Sequence, residues 1–119
     1  MLVFRISYRE FVVSFIVATL LIISIEYALI GVALPEWTIL VRMFIYHFVF
    51  FIIYTARLAT IGINWVYSLI IMISFIFEAR VLILLGMDLS GWLYSVVGGI
   101  VIIMSVIFMI WVFFLKKLS

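Results

Sequence analysis

The chain has no cysteine, one proline, one histidine and six glycines in 119 residues, and only 10% of it is charged. Without cysteine there is no disulfide framework, no thiolate metal site and no thiol relay. The scarcity of proline and glycine excludes collagen-like and low-complexity chains. The scarcity of charge excludes a disordered chain, which combines low hydrophobicity with high charge. It equally excludes an ordinary soluble domain, where about 25% of residues are charged. A net charge of +2 is too small for a nucleic-acid surface, so no nucleic-acid partner is expected.

Apolar residues make up 71% of the chain, against roughly 45–50% in soluble domains. The expected surroundings are therefore a lipid bilayer. At about 20 apolar residues per crossing, the length accommodates four helices and almost nothing outside the membrane. We expect an all-α integral membrane four-helix bundle, one transmembrane domain over residues 1–119 with spans at 11–34, 38–61, 65–85 and 92–115. The spans are separated by Pro35-Glu36-Trp37, by Gly62-Ile63-Asn64 and by the turn from Gly86 to Gly91. The apolar runs exceed 20 residues and lack period-two alternation, which argues against a barrel. The basic start fits a signal peptide, but the apolar run is too long and no small-residue cleavage site follows, so the first span is expected to be retained.

Four crossings place both termini on one side. Arg5, Arg9, Arg57, Lys116 and Lys117 gather there, whereas the opposite turns hold Glu36 and Asp88, flanked only by Arg42 and Arg80. The positive-inside rule then puts both termini in the cytoplasm of a multi-pass protein of a prokaryotic plasma membrane. Tryptophan favours the membrane boundaries, which suits Trp37 and Trp92 outside, and Trp65 and Trp111 inside.

Five polar residues fall where lipid is expected: Glu26, Arg42, His47, Glu78 and Arg80. At 1.5 Å per residue, Glu26 and Glu78 lie about 12 Å below the outer ends of their spans, Arg80 about 9 Å and Arg42 about 7 Å, with His47 near mid-membrane. A charge at a helix centre costs about 2.5–3.5 kcal/mol on insertion scales, so none should meet lipid unpaired. The simplest arrangement pairs Glu26 with Arg42 across the first turn. Glu78 and Arg80, two residues apart, point to nearly opposite faces of one helix and do not pair easily. One of them is left for the bundle and the other for a partner chain. The cluster reads either as a relay or ligand site or as buried ion pairs that set helix register, and the second is the expectation. Glu26, His47 and Glu78 have the chemistry of a divalent-ion site, but the spacing of metal-binding helices is absent, so neither a metal nor a cofactor is expected. Arg57, near the inner end of its helix, is expected to snorkel to headgroups.

The fourth span has no charge before Lys116, but Gly91, Ser95 and Gly99 recur every four residues with Gly98 beside them. Small residues at that spacing let another helix approach closely, within the bundle or in a second chain. Phosphate loops, nucleophile elbows and zinc-protease motifs are absent, as are internal repeats.

From residue 70 to 117 the order is an apolar helix ending in Phe77-Glu78-Ala79-Arg80-Val81-Leu82-Ile83-Leu84, an acidic turn around Asp88, and an apolar helix closed by Lys116-Lys117. This half resembles the phosphate-starvation-inducible PsiE family of small four-helix membrane proteins, with Arg80 as the distinctive residue. The resemblance implies the fold and no defined activity. The expected function is a non-catalytic accessory or structural subunit of a larger membrane complex, in contact with other membrane subunits or copies of itself. The alternatives are a small oligomeric transporter or channel that uses Glu26, and a membrane stress or immunity factor.

Overall fold

In the computed structural model, which describes residues 5–77 and 94–115, every regular element is helical and the described residues contain no strand. The elements are α1 (Tyr8–Ala28), α2 (Trp37–Ile61), a 3-10 turn (Trp65–Ser68) leading into α3 (Leu69–Ile76), and a π turn (Tyr94–Gly98) leading into α4 (Gly99–Phe113). Three helical stretches, Tyr8–Ala28, Trp37–Ile61 and Val96–Phe113, are long and apolar enough to cross a membrane, and Trp65–Ile76 is a shorter apolar helix.

The start of α1 is set by a capping box. The Ser7 hydroxyl accepts from the Glu10 amide at 3.2 Å, and the Glu10 carboxylate accepts from the Ser7 amide at 3.0 Å. Two amides without helical partners are satisfied at once, so the helix begins at Tyr8 and not at residue 11. Its end also departs from expectation. The 11–34 stretch is apolar to its last residue, but the helix stops at Ala28. Leu29 caps it through a bond to the Ile25 carbonyl, and Gly31 takes φ +81°, a left-handed conformation in which a side chain is strained. Pro35 was the expected breaker, and the glycine acts first. At 21 residues α1 is about 31 Å long, one bilayer core. Residues 29–36 are left as a largely apolar connector.

α2 begins at Trp37 and closes on Gly62, whose φ of +80° lets its amide reach the Leu58 carbonyl. The Asn64 side chain then accepts from the Val66 amide at 3.1 Å and starts the 3-10 turn.

α1 and α2 form an antiparallel hairpin. Near one end the Ile6 amide donates to the Thr60 hydroxyl at 2.7 Å, and near the other Glu26 meets Arg42. α3 packs on α2, and α4 on α3 and α2. The main core lies toward the end of the molecule where Ile6 and Leu115 meet. It consists of Phe11, Tyr54, Leu58, Ile71 and Val112, all buried. Phe11 is edge-on to Tyr54 with centroids 5.0 Å apart and lies 4.8 Å from the Phe113 ring, while the Tyr54 hydroxyl donates to the Met109 carbonyl at 3.3 Å. A smaller cluster, Met43 and Tyr46 with Ile22, Leu40 and Phe75, lies toward the other end.

Most other large apolar side chains point outward, as lipid-facing surfaces require. In lipid, apolar burial gains little transfer energy, because hydrocarbon tails are as apolar as leucine; packing and hydrogen bonds hold the helices together. Phe11→Ala should therefore loosen α1 from α2 and α4 by the cavity it leaves. The expected loss lies below the roughly 3–5 kcal/mol of the same change in a water-soluble core, read by unfolding in mixed micelles. A loss under about 0.5 kcal/mol, the usual range of surface changes, would show that the aromatic cluster is not the core.

Candidate functional site

Glu26 lies in the last turn of α1 and Arg42 five residues into α2, so the hairpin brings them level. Arg42 Nη1 donates to Glu26 Oε2 at 2.5 Å, and the Tyr46 hydroxyl donates to the same oxygen at 2.6 Å. Arg42 and Tyr46 are one turn apart on α2 and hence share a face. The two charged side chains are 20% and 28% exposed, and Arg42 Nε is buried without a partner among the described residues. Glu26 sits at the negative pole of the α1 dipole, and the last turn of α1 has no basic residue of its own. Arg42 supplies the missing positive charge from the neighbouring helix. Tyr46 was not anticipated, although its i+4 spacing from Arg42 was readable in the sequence.

His47 follows Tyr46 and makes no hydrogen bond to the ion pair among the described residues. Its Nδ1 lies 2.7 Å from the Met43 carbonyl and its ring meets Phe75 edge to face at 5.5 Å. A carbonyl cannot donate, so Nδ1 carries the proton, and in the neutral ring Nε2 keeps its lone pair. Glu26, Tyr46 and His47 reconvene on the wall of a cleft of about 420 Å³ between the helices, joined there by Ser74 of α3 and Ser105 of α4. On the other side Glu26 and Arg42 border a second hollow of about 270 Å³, lined by connector residues such as Leu29 and Pro35 together with Thr38.

Glu78, Arg80 and Gly91 lie outside the described residues, as does the Ser95 side chain. Gly98 is buried at the end of the π turn. At Gly99 no described atom lies within 4 Å of where a Cβ would stand, so among the described residues no helix uses it for close approach. Nor do the described residues contain a group of three His, Cys, Asp or Glu side chains that could hold a metal.

Arg57 overturns the snorkelling expectation: it is fully buried. Its Nη1 donates to the Ile6 carbonyl at 3.3 Å and its Nη2 to the Leu115 carbonyl at 3.4 Å, with the guanidinium 5.5 Å from the centroid of the Tyr8 ring. The reason is local. The last carbonyls of a helix lack intrahelical partners and attract cations, and Leu115 lies just beyond α4. Arg57 thereby ties the lead-in to α1, the last turns of α2 and the end of α4 into one knot.

These features define a protein whose described residues are all-helical, with three helical stretches long and apolar enough to cross a membrane and with Glu26, Arg42 and Arg57 hydrogen-bonded across elements. Comparison with protein-family models, with curated proteins and with solved structures finds no match for this chain.

Two measurements check the site. In a double-mutant cycle, Glu26→Ala and Arg42→Ala should each destabilise the protein, and the double change should cost less than their sum by about 0.5–3 kcal/mol; additive losses would remove the pair from the account. Arg57→Met should cost at least the roughly 1.5–3 kcal/mol of a charge-assisted hydrogen bond, with Arg57→Lys intermediate because an ammonium lacks the fork that spans two carbonyls. A headgroup-bound arginine would tolerate both changes.

Proposed function

We propose that this chain is a non-catalytic accessory or structural subunit of a larger membrane complex, a four-helix bundle with both termini in the cytoplasm of a prokaryotic plasma membrane. The observation that carries the reading is the saturation of the Glu26 oxygen: Arg42 and Tyr46 both donate to Oε2. A carboxylate held by an arginine and a phenol is suited to fixing a hairpin and poorly suited to releasing and recapturing a mobile ion at each cycle. Buried ion pairs of this kind are best attested as devices of register and specificity. The resemblance of residues 70–117 to PsiE-like membrane proteins fits a role without chemistry of its own.

A second reading has its own support. Glu26 borders both the interhelical cleft and the hollow beside the connector, the position a gating carboxylate would take in an oligomeric transporter. The two readings part in one experiment. Native mass spectrometry of the chain, extracted gently from its own membrane, should give a heteromeric mass with defined partners. A homodimer or ring would overturn the subunit reading, and flux in reconstituted vesicles that is abolished by Glu26→Gln would then establish the transporter.

A further inference from the structure

The hydroxyl groups of the helices follow a pattern that one buried residue breaks. In a membrane a serine or threonine usually satisfies itself by bonding back to a carbonyl one turn earlier. Thr19 does so to Phe15, Thr60 to Ala56, Ser68 to Trp65 and Ser74 to Ile71, at 2.6–2.9 Å, while Thr55 bonds to Ser68. Ser105 is only 5% exposed, and among the described residues its hydroxyl makes no hydrogen bond. It lines the 420 Å³ cleft. Among the described residues the buried side-chain atoms left without a partner are Arg42 Nε and Arg57 Nε, so the Ser105 hydroxyl opens onto the cleft and can take a partner there.

The cleft offers a complementary group. His47 Nδ1 is committed to the Met43 carbonyl, so the remaining ring nitrogen accepts, whereas Ser105 is free to donate. Glu26, Tyr46 and Ser74 on the same wall already have partners, and the remaining described lining is apolar, including Ile22, Phe50, Ile71, Ile102 and Met109. The volume lies within the roughly 300–1,000 Å³ of small-molecule sites, which pair an apolar lining with a few placed polar groups. Among its described lining residues there is no arginine or lysine, which disfavours a phosphate headgroup, and the carboxylate of Glu26 is already neutralised by Arg42, which disfavours a cation.

We infer that the cleft between α1, α2, α3 and α4 binds a lipophilic molecule ending in a hydroxyl group. The ligand hydroxyl donates to His47 Nε2 and accepts from the Ser105 hydroxyl, and its apolar body lies between α2 and α4. A single hydroxyl satisfies both protein groups, which neither a ketone nor an ether can do, because each lacks the donor. Isoprenoid alcohols and alkylated hydroquinones share this chemistry, and the assay separates them.

The test uses the full chain in nanodiscs, with farnesol and decyl hydroquinone as probes and, as controls, farnesyl methyl ether and the di-O-methyl ether of the hydroquinone, neither of which keeps a hydroxyl. Binding is scored as saturable uptake above that of protein-free nanodiscs. At least one hydroxyl probe should bind, the tighter one marking the source, and its ether should bind about five- to tenfold more weakly, as expected for one lost hydrogen bond. Ser105→Ala should weaken the hydroxyl probe and its ether by a similar factor, because both oxygens accept from the Ser105 hydroxyl. Ile102→Trp, which fills the cleft, should abolish binding of both with helicity retained. Absence of saturable binding by the wild-type chain, equal affinity for a probe and its ether, or full affinity in Ser105→Ala would each overturn the proposal. The ether comparison needs no variant, so it decides the matter even where a substitution fails to fold.

Discussion

A carboxylate at the negative pole of its own helix, in a chain this apolar, is the constraint on which the Glu26 end of the structure depends. Glu26 cannot stay ionised in α1 without a positive partner, and α1 has none in its last turn. The partner comes from α2, and only a hairpin with a short connector brings Arg42 level with it. Once that register is set, Tyr46 falls one turn below Arg42 and reaches the same oxygen, and His47, next in the chain, meets Phe75. The α1 and α2 share of the cleft's polar groups thus follows from the ion pair.

The other end is organised by the same kind of demand with the roles reversed. There the chain supplies acceptors, the carbonyls of Ile6 and Leu115, and Arg57 answers both. The two ends differ in dryness. Arg57 is fully buried between the Ile6 and Leu115 carbonyls and the Tyr8 ring, whereas the Glu26–Arg42 pair remains partly exposed beside two hollows. Among the described residues the Arg57 end is accordingly the drier of the two, and the Glu26 end borders both hollows.

Helicity, the apolar character and the closeness of Glu26 to Arg42 were legible in the sequence, because each rests on local spacing. A 3.6-residue helix and a connector of a few residues leave two side chains near a hairpin turn little choice but to face each other. The capping box Ser7-x-x-Glu10 and the glycine at position 31 were equally local, and they set the ends of α1 where hydropathy alone did not. Hydropathy counts apolar residues and is blind to backbone handedness, so it carried the first span through Gly31.

The sequence by itself thus determined that the described chain is helical, that it holds stretches apolar enough to cross a membrane, and that Glu26 and Arg42 needed each other. Only the tertiary structure decided which faces look inward. A helix that is apolar all round has no amphipathic stripe to orient it, and packing in lipid turns on side-chain shape and hydrogen bonds, which leave no periodic trace in the sequence. That is why Arg57 read as a surface anchor and proved to be buried, and why Ser105, unremarked in an apolar run, came to share a cleft with a histidine of another helix.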